Sequence, residues 1–230
     1  MPARNSIKVY TENGYYHLYN RGVEKRTVFF EQDYAVFLSY LKTYLLPKNE
    51  DDLHRKLADP ATNYKEKADA LKLLKLNNFA DEIVLISYCL MPNHFHLLVK
   101  QVSANGIDRF MNSLCTRYTM YFNKKYNRVG SLYQGVYKAV MVESDEQLLH
   151  LTRYIHRNPV SSGSKGDAFR TQIMRQPSSY PEYLKQRKTQ WVHPDEILGF
   201  FSKTNPLLSY PAFVEQTEDL SPIKEIAIDL

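Results

Sequence analysis

Hydrophobic and polar residues alternate along this chain with two different periods. Residues 15–20 (YYHLYN) form a short β-prone run closed by Arg21-Gly22. Over residues 29–46 the apolar positions Phe30, Tyr34, Phe37, Leu38, Leu41 and Leu45 recur at helical spacing, and Pro47 stops the helix. Residues 48–82 are charged and helix-prone with a break at Pro60, which predicts a polar helical insertion. Residues 83–90 (IVLISYCL) read as a buried strand, Met91-Pro92-Asn93 as a turn, and residues 94–102 as the returning strand of a hairpin. Residues 108–126 are again amphipathic, with Phe110, Leu114, Tyr118, Tyr121 and Phe122 near one face. After a turn at 127–130, residues 132–142 predict a strand. Ser144 then caps a helix with Gln147 at the capping-box position, and this helix runs to about Asn158 before Pro159.

The order β, α, β, β, α, β, α predicts an α+β fold. It is a ferredoxin-like (RRM-like) antiparallel sheet with helices packed on one face, plus a C-terminal extension. The expected division is a core over residues 1–160, with the insertion at about 48–82, and an extension over 161–230.

Composition narrows the class. The 230 residues are 43% hydrophobic and 24% charged, enough for a full core. No apolar run reaches the ~18 residues of a membrane helix, and the first residues lack the apolar centre of a signal peptide. Two cysteines, Cys89 and Cys115, cannot form a disulfide framework. The expectation is a reduced, cytoplasmic protein.

Charge is uneven. The formal net charge is +5, and residues 94–160 hold 9 basic against 4 acidic residues, so the middle of the chain carries the excess. Residues 109–142 contain no acid, but they contain Arg109, Arg117, Lys124, Lys125, Arg128 and Lys138, interleaved with Tyr118, Tyr121, Tyr126, Tyr133 and Tyr137. Cations neutralise phosphates and aromatic faces stack on unpaired bases, which suits a single-stranded nucleic-acid surface. A solvated helix face with tyrosines in the core has the same composition.

Two clusters carry chemistry. In His94-Phe95-His96 on a strand, both imidazoles project to one side and Phe95 to the other, a start for a divalent metal site. Two half-buried polar residues would look the same. In Tyr154-Ile155-His156-Arg157-Asn158-Pro159-Val160, Tyr154 and Asn158 lie one helical turn apart on one face, with His150 a turn earlier. A phenol beside a metal can act as a nucleophile, and an amide oxygen suits a hard ion. A packed tyrosine and a capping asparagine would also explain this pair.

Taken together, YYHLYNRG (15–22), YCLMPNHFHLLV (88–99), YFNKKYNRVGSLYQGVYK (121–138) and YIHRNPV (154–160) resemble the HUH-type single-tyrosine transposases, in particular the REP-associated tyrosine transposases. SSYPEYL (178–184) is similar to the region following that family's core. The resemblance implies that His94 and His96 are metal ligands, with Asn158 helping to bind Mg²⁺ or Mn²⁺. It implies that Tyr154 is the nucleophile, forming a 5′-phosphotyrosine link to single-stranded DNA and leaving a 3′-OH. The implied partner is hairpin-containing single-stranded DNA, met by a monomer or homodimer in a bacterial cytoplasm, at the nucleoid when bound. The expected DNA contacts are Arg21, Arg117, Lys124, Lys125, Arg128, Lys138, Arg153, Arg157, Tyr118 and Tyr126. Two departures stand out: the long 48–82 segment, and Val136 where relatives more often have Arg. Two other functions fit the same surface: a domesticated hairpin-binding regulator without catalysis, and an RNA-binding protein.

Overall fold

Four antiparallel strands and two flanking helical layers organise the chain. The computed structural model describes residues 10–161, 163–216 and 220–224. The strands are β1 (Tyr15–Arg21), β2 (Ile83–Met91), β3 (His94–Gln101) and β4 (Lys138–Val142), in the spatial order β2-β3-β1-β4. Between them run the helices α1 (Glu31–Leu45), α2 (Glu50–Ala58), α3 (Tyr64–Lys75) and α4 (Gly106–Lys125). After β4 come α5 (Asp145–Arg157), α6 (Gly166–Ile173), α7 (Tyr180–Tyr183), α8 (Asp195–Leu198) and α9 (Tyr210–Glu215). This is the ferredoxin-like arrangement expected from the sequence. α2 and α3 account for the polar insertion, and each is capped by an asparagine, Asn49 or Asn63.

Period-two alternation divides the sheet residues between two cores. Tyr16 and Leu18 of β1, Phe95, Leu97 and Val99 of β3, and Leu85, Tyr88 and Leu90 of β2 pack with Phe37 and Leu41 of α1 and with Phe110, Leu114 and Phe122 of α4. On the opposite face, Ile86, Cys89, Leu98 and Val142 pack with Leu148, Leu151 and Ile155 of α5 and with the C-terminal extension. A register shift between Leu85 and Ser87 puts one extra residue into β2, so that odd-numbered Ile83 and Leu85 before it and even-numbered Tyr88 and Leu90 after it face the same core.

The sheet is therefore covered on both faces, not on one. The physical reason is visible in β2, which is apolar at nearly every position rather than alternating, so both of its faces need cover; β3 beside it is likewise buried along almost its whole length. The extension also closes the outer edge of β2. Leu90 N–H donates to Pro177 O (2.9 Å), Ser179 N–H to Tyr88 O (3.0 Å) and His193 N–H to Leu85 O (2.9 Å). A second difference lies before β4. The strand expected over 132–142 is regular only from Lys138, because Gly130 and Gly135 adopt positive φ (91° and 105°) and turn the chain instead. Ser144 caps α5 as expected, accepting from Gln147 N–H (3.2 Å), while Gln147 Oε1 accepts from Glu143 N–H (2.9 Å).

Among the described residues no helix is long and apolar enough to cross a membrane. Neither Cys89 nor Cys115 forms a disulfide among the described residues, and burial pushes the Cys89 thiol up.

Candidate active site

The second sheet face, under the C-terminal half of α5, brings the sequence motifs together. β1 pairs with β3 so that Tyr19 lies opposite His96 and Arg21 opposite His94. His17, Tyr19, His94 and His96 thus share this face, while Phe95 enters the other core. The turn that launches His94 is clasped by the segment after β1. Gly22 N–H donates to Asn93 O (2.8 Å), and Val28 N–H donates to Pro92 O (2.7 Å). A Cβ at Gly22 would lie 2.4 Å from Arg26 O, so only glycine permits this approach.

His94 and His96 meet edge to face with ring centroids 4.9 Å apart. The Tyr154 ring stands edge-on to His96 at 5.5 Å and to His17 at 6.3 Å. One turn along α5, Asn158 Oδ1 lies 3.2 Å from His94 Nε2. His94 Nδ1 is 2.6 Å from Asn93 Oδ1. These four expected site residues, Tyr154, His94, His96 and Asn158, are therefore neighbours within one chain.

His96 is fully buried, and its Nε2 has no hydrogen-bond partner. Burial first, then the nearness of the ionisable groups His17, His94 and Arg21, which disfavours a second positive charge, holds its pKa well below the usual histidine range, so the ring is neutral. A neutral imidazole is the form that ligates a metal. A neutral His94 has one N–H for its two amide-oxygen neighbours. With that N–H given to Asn93, the His94 Nε2 lone pair faces the Asn158 oxygen. Two electron-pair donors facing each other at this distance suit a cation that both can bind. Among the described residues there is no group of three or more His, Cys, Asp or Glu side chains placed to hold a metal ion. The set that fits one here consists of two imidazoles and an amide.

His17 is a site residue that motif reading missed. Its Nε2 lies 2.9 Å from His96 Nδ1, and the two rings stack 5.1 Å apart. Alternation in YYHLYN placed His17 with Tyr15 and Tyr19, but which face they share depends on strand pairing.

One face of the basic, tyrosine-rich helix α4 packs inward, and the DNA contacts expected of the buried Tyr118 and Arg153 are corrected accordingly. Tyr118 is fully buried, donates its hydroxyl to Val28 O (2.6 Å), and offers no ring face to a base. Tyr126, Tyr121 and Lys125 donate to one buried carboxylate, Asp33 of α1 (2.8, 2.8 and 2.7 Å). Burial pushes the Asp33 carboxyl up, but these donors and Phe30 N–H outweigh it and hold the group below its usual range. Arg117 lies 3.9 Å over the Tyr40 ring of α1. Arg153 is buried, with Nη2 donating to His150 Nδ1 (3.0 Å) and the guanidinium 4.5 Å over Phe213. Arg157 Nη1 donates to Val214 O (2.6 Å) and Gln216 O (3.1 Å) at the end of α9. These groups join elements to one another, because a cation beside an aromatic face or an orphan carbonyl is satisfied internally.

The remaining basic residues are placed differently. Arg21 and Lys138, with Tyr19, Asn20, Gln134 and Val136, line a hollow of about 220 Å³ beside the histidines. Lys124 is exposed, and Arg128 Nη1 donates to Asn123 Oδ1 (3.1 Å). His156 faces the extension. Its Nδ1 lies 2.6 Å from Tyr210 Oη and its Nε2 2.8 Å from Ser179 Oγ, and burial pushes its pKa down to about 3.

Residues 61–158, a stretch of less than half of the chain, match the family model described as "Transposase IS200 like". A solved structure of a REP-associated tyrosine transposase bound to a REP hairpin is similar to the chain at 10% identity and a TM-score of 0.50, covering 83% of this chain and 97% of that one. At that identity the likeness shows the fold. A candidate transposase from Deinococcus radiodurans R1 aligns at 16% identity and a TM-score of 0.28, covering 67% of this chain and 97% of that one, and carries no argument. The curated proteins searched contain no match.

Proposed function

We propose that the chain is a strand transferase for single-stranded DNA, with Tyr154 as nucleophile. The observation that carries this reading is the meeting of Tyr154 with His96 and of His94 with Asn158 on one sheet face. In the step envisaged, the Tyr154 phenol oxygen forms a bond to a backbone phosphorus as the bond from phosphorus to the 3′ oxygen breaks. The phenol proton is released and the departing oxygen takes one up, which leaves a 5′-phosphotyrosine and a 3′-OH. No water is consumed, so attack by a 3′-OH on the same phosphorus reverses the step and rejoins DNA.

His94, His96 and Asn158 would hold a divalent cation, Mg²⁺ or Mn²⁺. That ion would withdraw charge from the scissile phosphate. Burial of His96 keeps its ring neutral, and the fixed α5 turn keeps Asn158 level with His94. Tyr154 stands beside His96 of the same chain, the arrangement that a site working in cis needs.

Hairpin-bearing single strands are the proposed substrate class, by analogy with the similar protein bound to a REP hairpin. Arg21 and Lys138 flank the site and would contact backbone phosphates, with Lys124 at the end of α4 and Arg128 in the loop after it.

The test is incubation with hairpin-bearing single-stranded DNA and Mg²⁺ or Mn²⁺, followed by denaturing electrophoresis. A covalent adduct is expected with the wild type and not with Tyr154→Phe. An adduct that survives Tyr154→Phe overturns the choice of nucleophile. Tight hairpin binding with no adduct in the wild type favours a regulator that keeps the fold without the chemistry.

A further inference from the structure

We propose that His17 is a positioning residue that fixes the tautomer of His96 and so leaves His96 Nε2 free to ligate the cation. The inference rests on the metal-binding reading above and extends it to a residue on a different strand. His17 Nε2 lies 2.9 Å from His96 Nδ1. Two nitrogens at that separation share one proton: one donates an N–H and the other accepts with its lone pair. Both rings are fully buried, so water does not compete for either role.

The direction of that bond decides what His96 can do. If His96 Nδ1 donates, His17 Nε2 is the acceptor and His96 Nε2 carries a lone pair. If His17 donates, the neutral His96 ring must carry its proton on Nε2 and cannot bind a metal there. His96 Nε2 is buried and without a hydrogen-bond partner, so a proton on it would satisfy nothing, whereas a lone pair on it has a use. The geometry thus points to His96 Nδ1–H donating to His17. An accepting group behind a ligand imidazole also raises its basicity and fixes the ring plane.

Packing holds His17 to this task. β1 is the sheet's interior strand on this side, paired with both β3 and β4. The ring is confined between Tyr19, at 4.8 Å, and the stacked His96 ring, with the Tyr154 edge beyond. A small displacement of His17 would therefore be passed to His96 and to the Tyr154 side of the site.

Two measurements on the full chain test this. The first is nitrogen NMR of the histidine side chains without metal, which distinguishes protonated from unprotonated ring nitrogens. His96 is expected to carry its proton on Nδ1, and a proton on Nε2 overturns the proposal. The second is Mn²⁺ binding followed by electron paramagnetic resonance of the free ion. His17→Leu, which cannot accept, is expected to weaken binding about 10- to 100-fold. His17→Gln presents an acceptor oxygen and is expected to recover most of that loss. If His17→Leu lowers thermal stability but leaves Mn²⁺ affinity unchanged, His17 only packs, and the proposal fails. Equal weakening by Leu and Gln, in folded variants, also defeats it. If His17→Leu does not fold, the Gln variant and the NMR result still decide. A wild type that binds no Mn²⁺ removes the metal reading itself, which is a different failure from an unchanged affinity in the variant.

Discussion

The two faces of the sheet use the same strands for opposite purposes. Toward α1 and α4, β1 and β3 present Tyr16, Leu18, Phe95, Leu97 and Val99, and the tyrosines of α4 either fill space or tie down Asp33. Toward α5 the same strands present His17, Tyr19, His94 and His96 against Tyr154. Neighbouring residues thus have unrelated duties, and stability can be changed on one face with little effect on chemistry at the other. Two tyrosines illustrate it: the Tyr118 hydroxyl serves a backbone carbonyl, and Tyr154, the proposed nucleophile, stands beside an imidazole with an orphan nitrogen.

The sharpest way to break that comparison is to remove one hydroxyl from each face. Tyr154→Phe should reduce covalent adduct formation by about 10³-fold or more with little change in folding. Tyr118→Phe should cost about 1 kcal/mol in urea unfolding, through the lost bond to Val28 O, and leave adduct formation intact. Adduct loss in both variants would mean that the faces are coupled.

Asp33→Asn comes next in size. It removes the charge that Lys125, Tyr121, Tyr126 and Phe30 N–H converge on, and unfolding should lose about 2 kcal/mol, moderated because the Lys125 end reaches water. Hairpin binding by the folded variant should be unchanged. If hairpin affinity falls with it, this end of α4 touches DNA after all.

A comparable effect is expected from pH. His156 is neutral in the fold down to about pH 3, while the unfolded chain protonates it near 6.5. Its contribution is complete above about pH 6.5 and declines as pH falls toward 3, because the unfolded state then binds the extra proton. Between pH 7 and pH 5 this group alone should remove about 2 kcal/mol of stability. In His156→Gln the pH dependence of the melting temperature should be shallower. An unaltered slope would show that the extension opens without exposing His156.

The smallest effect concerns the rim of the site. Arg21→Ala and Lys138→Ala should each weaken hairpin binding modestly and lower the salt slope by about 1. Arg157→Ala, whose guanidinium serves α9 carbonyls, should leave that slope unchanged.

Much of the site was legible in the chain. His94 and His96 had to share a face because strand side chains alternate, and Tyr154 and Asn158 had to share one because they are four apart on a helix. Ser144 and Pro159 bounded that helix by capping and by ring sterics. The basic, tyrosine-rich stretch around α4 was less legible. Charge and aromaticity look alike whether they face DNA or Asp33, and Asp33 lies 85 residues before Tyr118 in the chain. The same ambiguity hid Arg153 and Arg157, which serve the extension.

The sequence alone determined the order of elements and the pairing of the motif residues within each element, but it led to a cover on one face of the sheet where the structure has two. Those features depend on local periods, caps and breakers, which act over a few residues. Only the tertiary structure decided which face each period meets, and hence that His17 stands behind His96, that Tyr118 is buried, and that His156 secures the extension. Register and burial arise from contacts between distant segments, and no local pattern carries them.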